Sequence, residues 1–232
     1  MALDSTSGRP AREVFARSRR AWLGPVAALA AVVVVALGFL YAGDSRPGTV
    51  DARIGAAVDG AGTPWRQVAL ALDSLGEPVG AATLVVAVVT GCLLLRRPRA
   101  AVLVVAGLGM AVGTATLLKH LVGRTIHGDG NLSYPSGHTA FATALALVVA
   151  LPAPGRPGPG RRAGTPVALA AALVSGAAMG WAQVALGAHY PTDVLGGWCT
   201  ALAVVPAAAW LIDRVADRLA GPTVDASRQR HR

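Results

Sequence analysis

Apolar and polar positions alternate along this chain in long blocks. Six apolar runs stand out: Trp22 to Ala42, Val79 to Leu95, Ala100 to Leu118, Ser136 to Leu151, Pro166 to Leu186 and Val194 to Ile212. A run of about 20 apolar residues is what a helix needs to cross a bilayer. The pattern predicts an all-α, polytopic membrane bundle with six transmembrane helices. The fourth run is only 16 residues long. At about 1.5 Å per residue it falls short of the ~30 Å hydrocarbon layer, so it is expected to start inside a protein-lined recess.

Residues 43–77 are mixed. Val50, Ile54, Ala57 and Val58 recur at helical spacing beside Asp51, Arg53 and Asp59. Thr63-Pro64 has the form of a helix start and Gly76 that of a stop. Short helices lying in the membrane interface, or a plain loop, both fit this stretch.

Composition supports the membrane assignment. Mean hydropathy is +0.52, and charged residues make up 14%, about half the usual share of a soluble domain. The net charge of +9 would point to nucleic acid in a soluble protein. Here the basic residues cluster at the ends of apolar runs and set orientation instead, so no nucleic-acid partner is expected. Segments 1–21, 96–99, 152–165 and 213–232 hold 16 of the 21 Lys and Arg, and the opposite side holds five. The positive-inside rule then puts both termini in the cytoplasm. Residues 1–21 read as a disordered basic tail, 22–213 as the membrane domain and 214–232 as a second basic tail. The first run is expected to stay as an uncleaved span rather than act as a signal peptide. Trp22, Trp181, Trp198 and Trp210 lie near run ends, as interfacial belts do. Cys92 and Cys199 sit near opposite membrane faces, which argues against a disulfide, and no metal-ligand cysteine spacing occurs.

Three polar islands interrupt the apolar pattern. They are Lys119 to Arg124, Tyr134-Pro135-Ser136-Gly137-His138-Thr139, and Gly187 to Asp193. In the six-span topology all three reach the extracytoplasmic face. His138 and His189 are 51 positions apart, enough for one span down, a loop and one span back. Two histidines, a carboxylate, a lysine and an arginine suit phosphoryl transfer. A neutral imidazole is a nucleophile at physiological pH, and a protonated one is a general acid. Cations and the free amides of a helix N-terminus neutralise phosphoryl oxygens. Taken singly, Ser136 and Asp193 also fit plain helix starts, and Lys119 a snorkelling anchor.

Lys119, then Pro135-Ser136-Gly137-His138, then His189-Tyr190-Pro191-Thr192-Asp193 resemble the motifs of the type 2 phosphatidic acid phosphatase (PAP2) superfamily. The resemblance covers roughly residues 22–213. It implies that His189 attacks phosphorus to give a phosphohistidine, Asp193 orients His189, and His138 protonates the leaving group. Lys119, Ser136 and Gly137 would bind phosphate, with no metal and no cofactor. Two departures stand out. The family's arginine-proline pair falls on Ile126 and His127, and its serine-arginine pair on Ala182 and Gln183. Arg124, His120 and His127 are candidate substitutes for the missing cations, and Gln183 keeps a neutral donor.

The expectation is a bacterial-type cell-membrane phosphatase acting on a lipid phosphate or diphosphate, with polyprenyl (undecaprenyl) diphosphate, phosphatidic acid or phosphatidylglycerol phosphate as candidates. Transfer of the phosphoryl group to another acceptor, or a non-catalytic lipid-binding role, are the alternatives.

Overall fold

The computed structural model describes residues 17–58, 62–128, 130–151 and 164–219. Most of both tails and of the 152–165 loop lies outside them. Eight helices follow in order: α1 (Arg17–Leu40), α2 (Thr49–Val58), α3 (Thr63–Gly76), α4 (Pro78–Leu94), α5 (Pro98–Val122), α6 (Gly137–Ala150), α7 (Gly164–Ala185) and α8 (Pro191–Leu219). Among the described residues the only β pairing is an isolated bridge between Thr125 and Leu132.

The six apolar runs become α1, α4, α5, α6, α7 and α8. Four of them, α1, α5, α7 and α8, are long and apolar enough to cross a membrane alone. Helices α3 and α4 together make a fifth candidate, bent by 63° at their junction. Pro78 explains the break, since proline opens a helix well but cannot continue one. Helix α6 has 14 residues, about 21 Å at 1.5 Å each.

Helix α6 packs against α5, α7 and α8, and α1 lies along α8. Leu103, Val104, Leu108, Leu147, Val148, Leu151 and Val205 form the buried core between them. Outward-facing positions are also apolar: Leu29, Val32, Val35 and Phe39 of α1 and Val79, Val86 and Leu94 of α4 are exposed. So wide an apolar exterior belongs in lipid.

Small residues let the helices close on one another, as they do inside membranes. A Cβ on Gly197 would overlap the Ser136 carbonyl, and one on Gly196 would overlap the Tyr134 ring. The start of α8 therefore lies directly against the turn before α6. The backbone bond from Ser136 N to the Asp193 carbonyl, 2.9 Å, joins the two.

The mixed 43–77 stretch is helical, forming α2 and α3. Two of the tryptophans are used within the protein. Trp181 meets Trp65 of α3 edge to face at 6.1 Å. The Trp198 indole N–H donates to the Ala172 carbonyl at 3.2 Å.

Candidate active site

All three polar islands come to one end of the bundle. Lys119 sits in the last turn of α5, which Gly123 closes at φ 66°, a backbone angle suited to glycine. Arg124 and the Ser133–Ser136 segment form the α5–α6 connection, with a cis peptide at Tyr134–Pro135. His138 stands in the first turn of α6. Gln183 ends α7, His189 lies in the α7–α8 loop, and Asp193 is in the first turn of α8.

His189 is 9% exposed, and its Nδ1 lies 3.8 Å from Asp193 Oδ2. That is an ion-pair separation, too long for a hydrogen bond, and Nδ1 has no hydrogen-bond partner. Such bonds commonly tighten only when substrate is bound. Burial pushes the His189 pKa below its usual value. Asp193 opposes that shift, while the charges of Lys119 and His138 add to it. The imidazole is thus held neutral at physiological pH.

Asp193 is fully buried and held from two sides. Its Oδ1 accepts from Arg124 Nη1 at 2.6 Å, and its Oδ2 accepts from the Tyr190 amide at 3.0 Å.

Arg124, grouped with the phosphate ligands from its sequence position, is turned inward. Its side chain is fully buried. Nη1 also donates to the Thr192 hydroxyl at 2.6 Å, and Nη2 donates to Asp51 Oδ2 at 2.8 Å. The guanidinium carbon lies 4.0 Å from the Tyr41 ring centre and 4.4 Å from that of Tyr190. Two carboxylates and two aromatic faces surround this cation, while its Nε is buried with no hydrogen-bond partner.

Ser136 is likewise buried. Its Oγ accepts from the Thr139 amide at 3.4 Å and the Thr139 hydroxyl at 3.1 Å, so it caps α6. Beside Gly137 the space is open, as an anion site on a helix N-terminus requires. Lys119 Nζ donates to the Leu132 carbonyl at 2.9 Å. Gln183 is 1% exposed and donates to Asp73 Oδ1 at 2.7 Å. His127, at φ 59°, places Nε2 2.7 Å from the Gly187 carbonyl. His120 Nδ1 is 2.8 Å from the Thr116 carbonyl. Both of these histidines are exposed.

Three carboxylates at this end escaped the sequence reading. Asp51 of α2 is 2% exposed. It accepts from Arg124, from the Thr192 amide at 2.9 Å and from the Thr192 hydroxyl at 2.9 Å. Asp73 Oδ1 and Glu77 Oε1 lie 3.5 and 3.6 Å from His138 Nε2. The ligand atoms of these last three residues fall within 4.8 Å of one another, so they form the one described cluster able to hold a cation. The four-residue spacing of Asp73 and Glu77 was the readable signal; Asp73 lies in the last turn of α3 and Glu77 at the break before α4. Asp51 had none, because its partners are far along the chain.

A family model described as the PAP2 superfamily matches residues 19–216. No curated protein matches the sequence. Among solved structures the fold resembles a transmembrane PAP2-type phosphatidylglycerolphosphate phosphatase from Bacillus subtilis. The TM-score is 0.58 at 19% identity, covering 85% of this chain and 96% of that one.

Proposed function

Since this chain belongs to the PAP2 superfamily, we propose that it is a membrane phosphatase that hydrolyses a lipid phosphate through a phosphohistidine. The observation that carries this reading is the buried His189 with the Asp193 carboxylate 3.8 Å behind Nδ1, itself fixed by Arg124 at 2.6 Å. With Nδ1 turned to Asp193, Nε2 is the nitrogen that attacks phosphorus.

In the first step a bond forms from His189 Nε2 to phosphorus and the P–O bond to the lipid breaks. His138 gives a proton to the departing oxygen. Positive charge growing on His189 is met by Asp193. Lys119 and the amides at the start of α6 stabilise the phosphoryl oxygens. In the second step water attacks the phosphohistidine, its proton passes to His138, and inorganic phosphate leaves. Arg124 keeps Asp193 in place instead of touching phosphate, and Gln183 and Ser136 likewise serve neighbouring residues. The distribution of basic residues supports a site at the extracytoplasmic face and termini in the cytoplasm.

The test is phosphate release by the purified protein in detergent with EDTA, wild type beside His189→Ala, over a panel of lipid phosphates. Release that requires His189 and survives EDTA is expected. Full activity in His189→Ala would sink the mechanism. Label passing to a second organic product instead of free phosphate would replace hydrolysis by phosphotransfer.

A further inference from the structure

Charge is divided unevenly around the two histidines. The α5 side presents a cation, Lys119, whose Nζ donates to the Leu132 carbonyl at 2.9 Å. On the α3 side, two carboxylates face His138 Nε2 at 3.5 and 3.6 Å. That nitrogen is out of solvent and lacks a hydrogen-bond partner. No arginine offsets the two acids from the α5–α6 connection or from the end of α7. Arg124 is closed between Asp51 and Asp193. Ile126 and Gln183 are neutral.

The carboxylates are also held in place. Gln183 donates to Asp73 Oδ1 at 2.7 Å. Gly76, between them in sequence, sits so close to the His138 ring that a Cβ there would overlap it. The end of α3 therefore lies directly on the ring of His138.

In the mechanism above, the attacked phosphorus lies toward His189 and the departing oxygen toward His138. A lipid phosphomonoester departs as a neutral alcohol once His138 has given its proton. A lipid diphosphate attacked at its terminal phosphorus departs as a lipid phosphate, which keeps its negative charge. We infer that Asp73 and Glu77 are specificity-determining residues that admit an alcohol leaving group beside His138 and reject a phosphate, which makes lipid phosphomonoesters the substrates of this protein. The inference rests on the phosphatase reading and narrows it.

Placing like charges together in a partly desolvated site discriminates by more than about tenfold. The probes are farnesyl phosphate and farnesyl diphosphate, which share one chain and differ in the group that leaves. Initial rates of phosphate release in detergent give kcat/KM for each. The wild type is expected to favour the monophosphate by about tenfold or more. Glu77→Gln and Asp73→Asn should each lower that ratio by raising the diphosphate rate. Glu77 is 56% exposed, so its variant keeps the fold even if Asp73→Asn disturbs Gln183. A uniform loss of activity from misfolding would not move the ratio. Equal or faster use of the diphosphate by the wild type overturns the inference, as does a ratio unmoved in both variants. Release that is the same in wild type and His189→Ala for both probes overturns the phosphatase reading itself, and this inference with it.

Discussion

Asp51 and Arg124 are 73 positions apart in the chain and meet at 2.8 Å with both side chains shut off from solvent. Through this contact α2 reaches the surroundings of His189. Asp51 balances Arg124, Arg124 holds Asp193, and Asp193 stands behind His189.

Removing one partner of a buried ion pair costs about 3–5 kcal/mol, because the other charge is left uncompensated. Asp51→Ala is therefore expected to lower thermal stability in detergent by a corresponding margin and to reduce kcat. Arg124→Lys should do the same, since an ammonium cannot reproduce the guanidinium's paired donors or its stacking on Tyr41 and Tyr190. Melting midpoints measured beside single-turnover rates check both. Wild-type stability in Asp51→Ala would exclude a structural role for the Asp51–Arg124 pair.

His189 sets a limit on the acid side. Its pKa lies below the ordinary value of about 6.5 mainly because it is buried. The neutral, nucleophilic form thus persists below pH 6.5, and kcat/KM should fall only as the pH drops through the lowered pKa. The stability contribution has the same sign. It is full above the unfolded value and lost as pH falls through the folded one, because the unfolded state binds the proton more readily. An acid limb with its inflection above 6.5 would contradict the buried, neutral imidazole.

Gly197 carries the contact between the start of α8 and the turn before α6. A methyl group there meets the Ser136 carbonyl, which is backbone and cannot rotate away. Gly197→Ala is expected to cost about 1–3 kcal/mol and to separate Asp193 from the α6 turn. The check is a thermal melt, together with the rate on a soluble phosphate ester.

Asp193→Asn keeps the size of the side chain but removes the charge behind His189. A loss of at least about tenfold in kcat is expected, as for a nucleophile that is misplaced and whose growing positive charge is left unmet. Rapid-quench detection of the phosphohistidine would show slower formation of the intermediate; unchanged formation would remove Asp193 from the mechanism.

Much of this architecture could be read from residue order alone. Blocks of apolar residues fix helices wherever burial or lipid demands them, so α1 and α4 to α8 coincide with the apolar runs. His138, His189 and Asp193 come together because span length returns the chain to the same face. The use made of Arg124 was hidden. A cation between two apolar runs looks alike whether it faces solvent phosphate or an internal carboxylate, and tertiary packing decides which. Asp51 was hidden for the same reason, one acid in an amphipathic stretch whose partners lie 73 and 141 residues onward. Ser136 shows the reverse case: its helix-capping alternative was visible in sequence, and the buried hydroxyl makes that bond.

The stacking of Arg124 between Tyr41 and Tyr190 has a consequence in time as well as in space. Ribosomes deliver Tyr41 and Asp51 first, Arg124 next, and Tyr190 and Asp193 last. Until α8 enters the membrane, the guanidinium has only half of its enclosure. Closure around Arg124 is therefore tied to folding of the final helix, and a chain arrested before α8 holds Lys119, His138 and His189 but lacks the Asp193 carboxylate that pairs with Arg124.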